Sequence, residues 1–241
     1  MATMTLDELV TQLRAVYGER LTCVVLYGSA AAGERTKRSD YNILLLLDRI
    51  EPGGLAGASA VARAWRDAGN PPPMTMTVEE WRGSSDVFPM EYADILERNR
   101  VLHGSAPFEG ISISRDQLRL QLEQQVMGNL LQLRQGVLLA GTDAKRQLEL
   151  LTASVSTILV LFRAVLRLKG EQPSGTKAAI AERVGMLAGL DASPFMKAIA
   201  HHSGETRLAA SEANTVLAQY LAGVERLVAY LDTFTTQERG L

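Results

Sequence analysis

The sequence predicts two domains of different class: an α+β domain over residues 1–108, then an all-α helical bundle over 109–241. Three observations predict this. Two aliphatic runs, Leu21 to Tyr27 and Tyr41 to Asp48, read as buried strands among helical patterns. From Ser114 onward only helical periodicity remains, and prolines thin out. Between Gly104 and Ser114 the stretch Gly-Ser-Ala-Pro-Phe-Glu-Gly has the composition of a link.

The elements follow in order. Thr5-Leu-Asp-Glu8 is a capping box, and Leu6, Leu9, Val10, Leu13 and Val16 continue it at helical spacing to a stop at Gly18. Leu21 to Tyr27 is a strand ended by Gly28. In the second strand Ile43 to Leu47 are all aliphatic, and this unbroken apolarity predicts cover on both faces. Ala58 to Asp67 reads as a helix. Pro71-Pro72-Pro73 forces an extended entry into a third, weaker strand, Met74 to Val78. Leu118, Leu122, Val126, Leu130, Leu133 and Val137 form one helical stripe. Lys145 to Lys169 is apolar nearly all round, as the central helix of a bundle should be. Shorter helices are expected from Thr176 to Leu187 and from Pro194 to His201. A long last helix carries Leu217, Tyr220, Val224, Leu227 and Leu231.

Composition excludes several classes. With 25 Lys and Arg against 27 Asp and Glu the formal charge is −2, so nothing global draws the chain to nucleic acid or anionic lipid. One cysteine, Cys23, excludes an intrachain disulfide and a thiolate-rich zinc site, and three histidines leave little for a histidine-based one. Asp7 and Glu8 stand where an export signal needs positive charge. The apolar stretch Leu150 to Phe162 is short for a bilayer. A cytoplasmic protein without membrane or nucleic-acid partners is the expectation.

The stretch that carries chemistry runs from Val24 to Leu46. A hydrophobic strand ends in Gly28-Ser29, a short helical turn of small residues is expected next, and the second strand opens on Ser39-Asp40-Tyr41-Asn42. Such a turn can hold a triphosphate. Gly28 lets backbone amides approach the anion, and Ser29 offers a hydroxyl at a helix start. On a strand, positions 40 and 42 point to one face, where their side chains could share a metal.

This pattern resembles the nucleotidyltransferase superfamily that includes DNA polymerase β and the aminoglycoside nucleotidyltransferases. The shared features are a hydrophobic strand, Gly-Ser, about ten residues and then Asp-x-Asp on the next strand, here Gly28-Ser29 and Asp40-Tyr41-Asn42. The resemblance is close over residues 21–48 and extends over 1–104 in the order of elements. It implies a small mixed sheet, a nucleoside triphosphate (NTP) ligand bound by Gly28, Ser29 and Arg38, and Mg²⁺ held at Asp40 and Asn42. In the family two such carboxylates, with a third on a later strand, bind two magnesium ions that align the attacking oxygen and neutralise the leaving pyrophosphate. Here the second position is Asn42, and Met74-Thr-Met-Thr-Val78 offers only threonines for the third. Each lost carboxylate contact to the metal is worth about several kcal/mol at an effective dielectric near 20, so Mg²⁺ binding is expected to be weak.

Other acids are candidates to substitute. Glu79 and Glu80 follow the third strand, with exposed strand-end charge as their ordinary reading. Glu91 opens a helix behind Pro89, about where relatives that modify aminoglycosides carry a glutamate base; a first-turn acid favoured by the helix dipole is the ordinary alternative. Arg35, Lys37 and Arg38 could pair with phosphates or form a solvated turn. Arg163 and Arg167 are expected at the surface. Arg98 and His103 have the spacing of a ribonuclease signature but sit outside any bundle helix, and Cys23 reads as a core residue. Asp40 and Glu91 are thus the catalytic candidates.

Three functions stay open at this stage. The first is a nucleotide-binding protein of nucleotidyltransferase descent with weak or absent transfer. The second is an active enzyme moving a nucleoside monophosphate from an NTP to a hydroxyl of a small molecule or protein. The third is an antitoxin-like interaction protein. Self-association into a homo-oligomer is compatible with each.

Overall fold

The computed structural model describes residues 4–31, 33 and 40–234. The chain divides into two compact units, Met1–Gln117 and Leu118–Leu241.

In the first unit, α1 (Leu6–Tyr17) starts on the expected capping box: Thr5 accepts from the Glu8 amide, and the Glu8 carboxylate accepts from the Thr5 amide at 2.8 Å. It ends at Gly18, which adopts φ 57°. Strands β1 (Leu21–Tyr27) and β2 (Asn42–Leu47) pair antiparallel, with Tyr27 opposite Asn42. Helices α2 (Pro52–Gly57) and α3 (Ser59–Asp67) make the crossover to β3 (Met74–Thr77), which pairs parallel to β2. Then come α4 (Val78–Gly83), α5 (Pro89–Glu97) and β4 (Asn99–Gly104), which closes the other side of β1 antiparallel. The sheet order β3-β2-β1-β4 is the small mixed sheet expected.

Both faces of the sheet are covered, as the unbroken aliphatic run of β2 implied. Val24, Leu26, Ile43, Leu45 and Leu47 pack with Leu9, Leu13, Val61 and Trp65 of α1 and α3. Cys23, Val25, Leu44 and Leu46 pack with Trp81, Tyr92 and Ile95 of α4 and α5. Cys23 is a core residue, and burial pushes its thiol up to about 11.

The third strand ends one residue earlier than expected, because Thr77-Val-Glu-Glu80 is itself a capping box. Thr77 accepts from the Glu80 amide, and the Glu80 carboxylate accepts from the Thr77 amide at 2.7 Å. The resulting helix carries Trp81 inward, stacked on Tyr92 with ring centres 4.1 Å apart. Trp81 Nε1 donates to the Pro107 carbonyl at 2.7 Å, and the Tyr92 hydroxyl donates to the Trp81 carbonyl at 2.6 Å. Aromatic pairs of this kind add about 0.5–1.5 kcal/mol beyond their buried area. They fix α5 against the sheet.

The second unit consists, among the described residues, of α6 (Arg115–Ala140, beginning just before the boundary), α7 (Ala144–Leu168), α8 (Lys177–Ala188), α9 (Ser193–Ser203) and α10 (Ala213–Asp232), with one 3-10 turn. Leu151, Val155, Ile158, Phe162 and Val165 of α7 are fully buried. Phe162 meets Phe195 at 5.0 Å, Phe195 meets Tyr220 at 4.4 Å, and the Tyr220 hydroxyl lies 2.9 Å from Ser154 Oγ. The stretch read as Leu150 to Phe162 belongs to this longer helix. Among the described residues α7 alone is long and apolar enough to cross a membrane, and 56% of its most apolar stretch is buried. Arg163 is buried, not at the surface as expected, because α7 is enclosed on nearly every side.

Among the described glycines Gly104 leaves the least room for a side chain. It pairs with Cys23 at φ 78°, and a Cβ there would fall onto the Thr22 carbonyl oxygen. Replacing it with alanine adds strain at positive φ to a backbone clash. Gly104→Ala is therefore expected to lose more than about 3 kcal/mol, whereas Gly110→Ala, also at positive φ but beside open space, should lose about 1 kcal/mol. Denaturant unfolding of the two variants checks the contrast.

Candidate active site

The end of β1 places the site. Tyr27 is the last strand residue, half-buried on the α5 face of the sheet, and Gly28 follows at φ 78°. The Gly28 amide donates to the Arg98 carbonyl at 2.9 Å, and the Ala31 amide donates back to the Gly28 carbonyl at 3.1 Å. Ser29 sits half-buried inside this turn. Residues 28–31 form a turn, and the rest of the short helical turn expected after Ser29 falls largely outside the described residues. Arg38, with Arg35 and Lys37, lies outside the described residues.

Glycine at 28 has a second reason besides its backbone angle. A Cβ would sit 3.6 Å from Asn42 Nδ2 and 3.7 Å from Asp94 Oδ2. The turn thus opens onto an amide from β2 and a carboxylate from α5. Asn42 is the first residue of β2, and Asp40 stands exposed two residues before it. The backbone between them is fixed by buried Asn70, whose Oδ1 accepts from the Tyr41 amide at 3.0 Å while Tyr41 stacks on Trp65.

Helix α5 supplies the rest. Glu91 and Asp94 are one turn apart on α5 and so share a face, and Arg98 follows just beyond the helix end. Glu91 lies in the first turn, where the helix dipole favours it. Asp94 and Arg98 form an i,i+4 ion pair, with side chains 26% and 12% exposed. Three carboxylates act on one hydroxyl: burial first, then Asp94, Glu91 and Asp40, push the Tyr27 phenol up to about 12. Asp40 and Glu91, picked from sequence, are thereby in electrostatic reach of one group. Glu79 and Glu80 are in the first turn of α4, and Glu80 is occupied as a cap. Arg98 and His103 do not converge: Arg98, just after α5, pairs with Asp94, whereas His103 of β4 lies beside Thr11, Arg14 and Ala15 of α1.

Sequence reasoning missed Tyr27, Asp94 and Asn70, and weighed Arg98 only together with His103. The spacing of Glu91, Asp94 and Arg98 was the signal for α5, but what it faced was not local information. A metal implied by the resemblance can be tested on the donors present. Asn42 offers a neutral amide, the Asp94 carboxylate is engaged by Arg98, and among the described residues no three His, Cys, Asp or Glu side chains group closely enough to hold an ion. Among the described residues these donors do not fit a two-metal site.

Comparison with known proteins rests on structure. No family model and no curated protein matches the chain. Among solved structures, the spectinomycin adenyltransferase AAD(9) from Enterococcus faecialis, determined with ATP and spectinomycin, superposes with a TM-score of 0.62. It is 11% identical, and the match covers 94% of this chain and 98% of that one. The fold is nucleotidyltransferase-like. Within this nucleotidyltransferase-like fold, the Gly28-Ser29 turn and the start of β2 stand side by side, as the motif spacing implied, and α5 adds the polar groups that spacing did not reveal.

The acids around Tyr27 give a titration test. Neutralising Asp94 removes repulsion from the phenolate, so Asp94→Asn lowers the pKa of Tyr27 from about 12 toward 10. A difference titration at the tyrosinate absorbance band, with Tyr27→Phe identifying the signal, checks this. An unmoved signal would remove Asp94 from the site.

Proposed function

We propose that the chain binds a nucleoside triphosphate at the Gly28-Ser29 turn and transfers its nucleotidyl group poorly. The observation that supports this reading is what surrounds Gly28: a glycine turn faced by the Asn42 amide and by an Asp94 carboxylate that Arg98 holds. The Gly28 and Ala31 amides are already bonded, so a triphosphate would be held here through the Ser29 hydroxyl and the backbone next to it. The carboxylates that would concentrate divalent charge on the leaving pyrophosphate are reduced to Asp40 on the strand side. Every 1.4 kcal/mol or so withheld from the transition state is tenfold in rate, so turnover is slow while nucleotide affinity persists. ATP, with which the structural neighbour was determined, is the first nucleotide to try, and a small-molecule acceptor the first second ligand.

One observation favours a second reading, that of an active transferase. Glu91 and Asp40 both act on Tyr27, and Glu91 is exposed in the first turn of α5. In that reading Glu91 takes the proton of an acceptor hydroxyl, whose oxygen attacks the α-phosphorus as the bond to the bridging oxygen breaks and pyrophosphate leaves.

Calorimetric titration of ATP and GTP, with and without Mg²⁺, separates these. The proposal expects binding under both conditions, no appreciable pyrophosphate release with a panel of hydroxylated acceptors, and loss of binding in Gly28→Val, which fills the space before Asn42 and Asp94. Pyrophosphate release abolished by Asp40→Ala would establish the enzyme instead. No binding under either condition would sink both, leaving the fold as a scaffold for a protein partner.

A further inference from the structure

Helix α6 buries one apolar face and exposes another. Leu118, Leu122, Val126, Leu130 and Leu133 are buried, while Leu120, Met127, Leu131 and Leu138 are 63%, 42%, 50% and 83% exposed. At about 100° per residue these four fall within roughly 40° of arc and form one stripe about 27 Å long, while Leu139, also exposed at 78%, lies about 100° off it. The spacing is symmetric. Leu120 and Leu138 lie equally far on either side of Asn129, and so do Met127 and Leu131. Asn129 itself points inward, 6% exposed.

A stripe that reads alike from both ends is complementary to itself. We infer that α6 pairs with α6 of a second copy of this chain, antiparallel about a two-fold axis at position 129. Leu120 then meets Leu138 of the second copy, and Met127 meets its Leu131, each contact occurring twice. The charge pattern supports a second copy over a different partner. The stripe carries no charge and is bordered on one side by Gln117, Gln124 and Gln135. On the other side Arg134 is held by Glu225 at 2.8 Å, and Glu123 by Arg119. A two-fold axis brings like groups together, so a neutral stripe removes the repulsion that self-pairing otherwise meets, and it offers nothing for an oppositely charged partner to select. One helical stripe covers less than the roughly 800 Å² per partner of a stable complex, so the pairing is reversible and depends on concentration.

Sedimentation velocity across a concentration series tests it. The wild-type chain is expected to shift from monomer toward dimer as concentration rises, and Leu131→Glu to remain monomeric with unchanged circular dichroism, since position 131 is exposed. Register is tested by charge. In the antiparallel pairing L120K/L138E brings opposite charges together twice, and L120K/L138K brings like charges together twice. Positions 120 and 138 are too far apart to pair within one helix. The first variant should associate about tenfold more tightly than the second at low salt, and the difference should shrink at high salt. A wild-type chain monomeric throughout, a dimer indifferent to Leu131→Glu, or equal association of the two double variants would each overturn the proposal.

Discussion

Val24 and Leu26 on one face of β1, and Cys23 and Val25 on the other, are at most 1% exposed, so this strand must be covered on both sides and hydrogen-bonded along both edges. Most of the first unit follows from that requirement. A single helix cannot cover both faces, so α1 and α3 close one and α4 and α5 the other. Antiparallel β2 and β4 take the edges, which sets Tyr27 between Asn42 and Asn99. At the end of this buried strand backbone emerges from an apolar core beside polar side chains. A glycine turn there meets whatever the neighbouring elements present.

What they present differs from what the motif alone implied. Asn42 arrives from β2, and Asp94 with Arg98 from α5, whose position depends on the Trp81–Tyr92 stack one layer away. The acidic groups are not missing from this end of the sheet. They have a different origin: Asp40 from the strand side, Glu91 and Asp94 from the helix. Their combined effect is visible on Tyr27. A carboxylate already bonded to an arginine, however, contributes less net charge toward a cation than a free one on a strand. The ion pair therefore lowers the net negative charge that this end of the sheet presents to a divalent cation.

Features written in adjacent residues were legible in the sequence. The Thr5–Glu8 capping box, the aliphatic strands and the Gly18 stop each depend on a few neighbouring positions. The Thr77–Glu80 box was equally local, but it was masked by the β-like alternation Met-Thr-Met-Thr before it. Strand β4 was overlooked because Asn99–Gly104 is short and half exposed, and its strand character comes from lying beside β1. The same holds for the site. Gly28, Asp40 and Asn42 were recognisable from spacing, whereas Asp94 matters only because α5 is turned so that its carboxylate reaches Gly28. Arg163 was misjudged because spacing alone cannot say how many neighbours enclose a helix.

The account turns on residue 42, the neutral group where a strand carboxylate would complete the metal set. Titration of Mn²⁺ by electron paramagnetic resonance, with a non-hydrolysable ATP analogue bound, compares the wild-type chain with Asn42→Asp. Restoring a carboxylate beside Asp40 adds more than about 1.4 kcal/mol of attraction to the ion, so the variant is expected to bind Mn²⁺ at least about tenfold more tightly than the weak wild type. Equal affinity, or tight binding by the unaltered chain, would contradict the account.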